Sequence, residues 1–192
     1  WLAALLRERG LIVHVTREPG GTAVGEKIRH LLQHDADAAA LTAESELLLF
    51  AASRAQLVRE VILPALDRGV WVVADRFLDS TTVYQGVGRG LDREAVQRIN
   101  AFAVGAALPE LTFLLDLDAA TGHARAVAAS GDQHDRMESE PLAFFESVRR
   151  GYLELAAAEP GRIAIIDAGA SIDEVFASLV RTFEARFSSP TA

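Results

Sequence analysis

Short apolar runs alternate along the chain with longer stretches in which apolar residues return every three or four positions, the signatures of strand and helix. Trp1, Leu2, Leu5 and Leu6 fall on one helical face with Arg7 and Glu8 among them, and Gly10 stands where that helix must stop, so the chain is read as opening mid-helix. Leu11 to Val15 reads as a short buried strand, which Arg17-Glu18-Pro19-Gly20-Gly21 breaks into a loop. A short helix follows from Ala23 to about Gln33. Thr42 with Ser45-Glu46 opens a long helix through LLLFAASRAQLVREVILPAL, with Leu48, Ala51, Ala52, Ala55 and Val58 as its apolar stripe and Arg68-Gly69 as its end.

Val70 to Ala74 is a continuous apolar run, the pattern of a strand buried on both faces, and Asp75-Arg76 stands at its C-terminal end. Beyond it the pattern predicts a helix over Arg93 to Ala106, a strand over Leu111 to Leu115 and a helix over Ala119 to Ala129. Ser130 to Glu140 is polar and reads as a loop, followed by a helix from Pro141 to about Ala158, a strand over Ile163 to Asp167 and a closing amphipathic helix over Ile172 to Arg186. This alternation predicts one α/β domain across residues 1–192, a parallel sheet with helices on both faces, and no internal repeat or linker.

Composition narrows the partners. Nineteen Lys and Arg against 27 Asp and Glu give a net charge of −8 with no basic run, which argues against a nucleic-acid surface. Anionic ligands must then be met by individually placed arginines, because Lys27 is the only lysine. Zero cysteines exclude disulfide frameworks and thiol chemistry. No stretch reaches the ~18 uninterrupted apolar residues of a membrane span, and the opening residues lack the features of a signal peptide, so a soluble protein is expected.

Ligands of open parallel sheets gather outside the carboxyl ends of the strands, which makes Asp75 and Arg76 functional candidates. Asp75 has the placement of a carboxylate that holds Mg²⁺ directly or through water, or else of a cap for a helix over Phe77 to Tyr84. Arg76 offers a planar, permanently charged fork for a phosphate, or else a surface ion pair. Phe50 and Arg54 lie one helical turn apart, so a flat base could stack on Phe50 while Arg54 donates to its rim. Donation to a carbonyl at position 4 favours thymine or uracil over cytosine. Gln85 both donates and accepts and suits an imide edge; the alternative is an exposed loop glutamine. Gly86-Val-Gly88-Arg-Gly90 lacks the spacing and preceding strand of a dinucleotide fingerprint, and His30, His34, His123 and His134 show no zinc pattern.

TREPGGT at Thr16 to Thr22, LLLFAASRAQ at Leu47 to Gln56, VVADRFLDSTTVYQGVGRG at Val72 to Gly90 and DRMES at Asp135 to Ser139, in this order, closely resemble bacterial thymidylate kinases over nearly the whole chain. The resemblance implies a P-loop-NTPase-like α/β three-layer sandwich and transfer of the ATP γ-phosphoryl group to dTMP with Mg²⁺. It also implies a cytoplasmic homodimer that supplies dTTP synthesis. It gives Phe50 the stacking role, Arg54 the base edge and Arg76 the dTMP phosphate. Glu18 and Arg29 match positions near sugar and phosphate, and Ser53, Ser80, Thr81, Tyr84 and Gln85 match the nucleoside pocket. Arg125 and Arg136 match a lid, about residues 130–140, that closes over ATP, with Arg149 and Arg150 as secondary candidates or a solvated helix face.

One element of that chemistry is missing from the sequence. There is no G-x-x-x-x-G-K-[ST] segment to cradle the ATP phosphates, and Pro19-Gly20-Gly21 precedes no Lys-Ser/Thr pair. The expectation is therefore an incomplete chain, showing four strands of a five-stranded parallel sheet. The rival is a thymidine-nucleotide-binding module that has lost catalysis.

Overall fold

The computed structural model describes residues 1–130 and 140–187. The N-terminal half runs α1 (Leu2–Glu8), β1 (Val13–Arg17), α2 (Ala23–Gln33), α3 (Ala43–Leu57), α4 (Leu63–Leu66), β2 (Trp71–Asp75) and α5 (Leu78–Thr81). The C-terminal half runs α6 (Arg93–Val104), β3 (Thr112–Asp116), α7 (Ala119–Ser130), α8 (Leu142–Ala158), β4 (Ile163–Asp167) and α9 (Ile172–Phe187). Caps account for several starts. Thr22, Thr42 and Asp92 each accept a hydrogen bond from the backbone N–H three residues on, at α2, α3 and α6. Gly105, with φ 56°, ends α6.

The strands are parallel, as the alternation requires, but they pair two by two. β1 runs beside β2 with Val13 opposite Trp71 and Arg17 opposite Asp75, and β3 runs beside β4 with Thr112 opposite Ile163 and Asp116 opposite Asp167. β1 lies two residues later than its apolar run, because Thr16 and Arg17 continue the ladder opposite Ala74 and Asp75.

Side chains alternate across β2, and this produces the layers. Trp71 and Val73 pack with Phe113 against Leu6 of α1 and Phe183 and Phe187 of α9. Val72 faces the other way, onto Leu57, Val58, Ile62, Phe77 and Val104. Helices therefore cover both faces. β2 is nevertheless half-buried at Trp71–Val73 and exposed at Ala74 and Asp75, where the apolar run predicted full burial.

The expected single helix from Thr42 to Leu66 is interrupted by a π-helical turn at Val58–Ile62. Pro64 follows at once; a proline has no N–H to give the preceding turn and its ring clashes with the carbonyl four residues back, so the widened turn accommodates it. The buried stripe of α3 also differs from the apolar one. Leu48 and Ala52 face solvent, while Glu46, Leu47, Ala51, Ser53, Arg54 and Leu57 are buried. Three polar side chains displace apolar ones because each has partners waiting inside.

Candidate functional site

β1 and β2 end side by side, and the loop after β1 folds back over that end. The Glu18 N–H donates to the Asp75 carbonyl at 3.0 Å, and the Glu18–Pro19 peptide is cis. Gly21 allows the tight return: its φ is +77°, and a Cβ there would stand 2.5 Å from Thr16 Oγ1 and 2.7 Å from Leu57 Cδ1. Gly20 N–H donates to Ser53 Oγ at 3.1 Å, tying the loop to α3, and Arg29 Nη1 donates to the Pro19 carbonyl at 3.1 Å.

Beneath the loop lies Arg54, with 1% of its surface exposed. Its Nε and Nη2 donate to Glu18 Oε2 at 2.9 and 2.6 Å, its Nη2 also to Thr81 Oγ1 at 2.9 Å, and its Nη1 to Asn100 Oδ1 at 2.8 Å. The guanidinium carbon sits 5.5 Å above the Phe77 ring. Four of its five N–H groups are thereby engaged, a more enclosed arginine than its spacing from Phe50 predicted. Phe50, one turn earlier, is half-buried. Burial pushes the Glu18 carboxyl up to about 7 against the opposing pull of the Arg54 charge and hydrogen bonds, and Glu18 Oε1 is buried with no partner.

Gln85 is not an exposed loop residue. It belongs to a π-helical turn over Thr82–Gly88, is 1% exposed, and its Nε2 donates to Glu46 Oε1 at 2.8 Å. Arg89 donates to both oxygens of Glu46, at 3.2 and 3.3 Å, and pairs with Glu140 at 2.6 Å.

Arg76 is the one non-glycine with positive φ, 62°, among the described residues. Its guanidinium lies 5.2 Å over the Tyr84 ring, and no carboxylate pairs with it among the described residues. A left-handed conformation costs a side-chain-bearing residue about 1–3 kcal/mol and persists where its surroundings hold it. Here α5 is held on every side. Asp79 takes a bidentate pair from Arg162 at 2.7 and 2.8 Å and a hydrogen bond from Thr112; Tyr152 OH donates to Ser80 Oγ at 2.8 Å; Asn100 Nδ2 donates to the Leu78 carbonyl and to Thr82 Oγ1. Burial pushes the Tyr152 phenol up to about 12, so it remains a donor at neutral pH. Asp75 caps nothing, since Phe77 is the N-cap of α5 and makes no side-chain cap bond.

The structure thus brings Glu18, Ser53, Arg54 and Thr81 into one hydrogen-bonded set, Arg76 onto Tyr84, and Ser80 and Gln85 onto partners absent from the sequence prediction. Those partners are Tyr152 and Glu46, and Asp79, Asn100 and Arg162 are further polar residues around the site that the sequence prediction lacked. A signal existed for two of them. Glu46, Phe50 and Arg54 fall at i, i+4 and i+8 on one face, and Asn100 interrupts the apolar stripe of Val96, Ala103 and Val104. Arg125 stands apart and exposed, donating to the Ala168 carbonyl at 3.2 Å. Arg136 and most of the 130–140 stretch lie outside the described residues. Arg149 forms a bidentate pair with Asp116 at 2.8 and 2.9 Å. A cavity of about 580 Å³ between α7 and α8, lined by Asp118, Glu146, Arg149 and Arg150 among others, contains none of the acceptor-side residues.

The relatives of the chain bear on this geometry. The family model described as thymidylate kinase matches residues 1–179. A thymidylate kinase of Chlorobium luteolum is 45% identical over 196 residues, covering 97% of this chain and 89% of that protein. One of Desulforudis audaxviator is 50% identical over 165 residues, covering 86% and 73%. The crystal structure of thymidylate kinase from Ehrlichia chaffeensis superposes with a TM-score of 0.74 at 32% identity, over 95% of this chain and 87% of that one, which supports a P-loop-NTPase-like α/β fold. With the family model spanning most of its length and relatives near half identity, the chain belongs to the thymidylate kinase family.

Proposed function

We propose that the protein transfers the γ-phosphoryl group of ATP to dTMP, giving dTDP and ADP. Membership of the family supports the reaction, and one observation supports the site: Arg76 is a cation at a strand end, stacked on Tyr84 with no carboxylate partner among the described residues, and so open to an anion. The acceptor phosphate is assigned to Arg76 together with Arg29 of α2, which donates to the Pro19 carbonyl of the loop, and the base to the face of Phe50. Glu18, Ser53, Ser80, Thr81 and Tyr84 line the pocket. Arg54 has one Nη1–H left to donate to a base carbonyl, and Gln85 faces the imide edge. This is a positioning device in which the dTMP phosphate oxygen attacks the γ-phosphorus in line and the bond to the β-phosphate oxygen breaks. Lid cations are assigned to Arg136 and, less centrally, Arg125, which would balance the charge spread over the transferring group.

Among the described residues no group of three or more His, Cys, Asp and Glu could cage an ion. Mg²⁺ bound with ATP keeps phosphate and water ligands and takes one or two carboxylates from a protein. Asp75, exposed at the end of β2, is the residue that would hold it, and the ion would neutralise charge on the β- and γ-phosphates. No described helix is long and apolar enough to cross a membrane. A homodimer is supported by exposed apolar side chains on two packed helices, Leu48 on α3 and Phe102 on α6, exposed by 56% and 80%. A cytoplasmic place in dTTP synthesis follows from the family resemblance.

A coupled assay with ATP, Mg²⁺ and dTMP, dCMP or thymidine as acceptor tests this reading. The expected result is ADP release with dTMP, little with dCMP and none with thymidine. Equal rates with dCMP, or no dTMP-dependent release from the intact protein, would overturn it.

A further inference from the structure

A glutamine cannot by itself tell thymine from cytosine. Its amide presents an acceptor beside a donor, thymine presents N3–H beside the O4 acceptor, and cytosine presents the reverse, N3 acceptor beside the N4 amino donor. Turning the amide over by 180° converts one match into the other. Discrimination at Gln85 therefore needs something that prevents the turn.

Glu46 supplies it. An ionised carboxylate only accepts, so the group of Gln85 that lies 2.8 Å from Glu46 Oε1 must be the NH₂. Both residues are 1% exposed, so water cannot take the place of either partner. Arg89 donates to the same carboxylate through Nε and Nη2 and provides its counter-charge. Inverting the amide would set Gln85 Oε1 against Glu46 Oε1 with no proton between them. With the amide nitrogen held there, Oε1 is the other arm of the fork, and it accepts no hydrogen bond among the described residues. It is also missing from the set of sealed, unpartnered oxygens that includes Glu18 Oε1. Glu46, Phe50 and Arg54 follow one another at one-turn spacing on one face of α3, so the residue that holds the amide and the caged arginine flank Phe50 along the helix.

Resting on the acceptor-site reading above, we propose that Glu46 is a specificity-determining residue. By locking the amide of Gln85 with its oxygen as the free acceptor, it selects a pyrimidine that carries N3–H and rejects one that presents N3 as an acceptor. Glu46 touches no substrate; it acts through Gln85.

The test compares calorimetric Kd values for dTMP and dCMP in the wild type, in Glu46→Gln and in the exchanged pair Glu46→Gln/Gln85→Glu, each checked for folding by circular dichroism. A neutral amide at position 46 accepts as well as donates, so Gln85 can turn over. The dTMP-over-dCMP preference should then fall about ten- to a hundredfold, the scale of one unmade buried hydrogen bond. The exchanged pair restores an acceptor-only group at position 85, held by the new amide, and should recover the preference even if both ligands bind more weakly. A loss of packing alone would weaken both ligands together and would not be reversed by the exchange. A wild-type preference that survives Glu46→Gln, or an exchanged pair that folds without regaining it, overturns the inference and leaves the acceptor site standing. A wild type that binds dTMP no better than dCMP overturns the acceptor-site reading underneath.

Discussion

Arg54 and Glu18 form a buried ion pair in which two guanidinium nitrogens, at 2.6 and 2.9 Å, donate to a single carboxylate oxygen while the other oxygen, Oε1, has no partner. The pair joins the loop after β1 to α3, across 36 residues of chain. Removing Arg54 leaves the buried Glu18 carboxyl without its donors and counter-charge, at a cost of about 3–5 kcal/mol. Arg54→Ala should lower thermal stability on that scale and raise the KM for dTMP. Denaturant unfolding with steady-state kinetics checks both, and a variant as stable as wild type would mean that Glu18 finds another partner.

The raised Glu18 carboxyl has a signature in pH. Its ordinary value is 4.5 and its folded value about 7, so the folded state holds a proton that the unfolded chain releases. The stability this contributes is fully present below pH 4.5 and is lost as pH rises toward 7, by at most roughly 3 kcal/mol, since each tenfold change in proton affinity is worth about 1.4 kcal/mol. Asp116, lowered by the hydrogen bonds of Arg149, acts in the opposite sense but only below its ordinary 3.8, outside this window. Melting temperature should therefore decline between pH 4.5 and 7 in wild type and stay flatter in Glu18→Gln. Parallel profiles would assign the decline to other groups.

Arg76 combines a cation that no carboxylate pairs among the described residues with a strained backbone, and substitution separates the two. Arg76→Gly and Arg76→Ala both remove the guanidinium, but only glycine adopts φ 62° without penalty. The glycine variant should be the more stable of the two by about 1 kcal/mol in urea unfolding, with dTMP binding equally impaired in both. Equal stabilities would show that the segment relaxes once the arginine is gone.

Asp79 and Arg162 hold α5 from the far half of the molecule, and the fork geometry matters because both side chains are largely buried. Arg162→Lys keeps the charge and loses the bidentate contact. It is expected to cost about 1–3 kcal/mol of stability and to raise the KM for dTMP several-fold, with the KM for ATP unchanged. Equal changes in both Michaelis constants would argue for general loosening over a displaced α5.

Much of this architecture was legible in the chain. Strand β4 and helix α2 match their apolar patterns residue for residue, and Asp75-Arg76 stands at the strand end where the run of Val70 to Ala74 placed it. What the pattern hid was polar burial. Leu48 reads as core and is exposed, whereas Glu46, Ser53 and Arg54, which fall outside the apolar stripe, are buried. Their partners, Gln85, Gly20, Glu18, Thr81 and Asn100, come from segments 27 to 46 residues away. No local periodicity carries that information, because a charged side chain is buried only once distant donors and acceptors have assembled around it. The π-helical turn before Pro64 was foreshadowed by the proline itself; the one over Thr82–Gly88 had no signal in the apolar pattern.

The most direct test of the acceptor site is steady-state ADP release by the intact wild type and by Arg76→Ala, with dTMP varied at saturating Mg²⁺-ATP. Wild type is expected to show saturable, dTMP-dependent release. Arg76→Ala should lose about 10- to 100-fold in kcat/KM for dTMP, the scale of one charge-assisted contact to phosphate, with the KM for ATP little changed. Release that ignores dTMP in the wild type, or an Arg76→Ala variant with undiminished kcat/KM, would contradict the account.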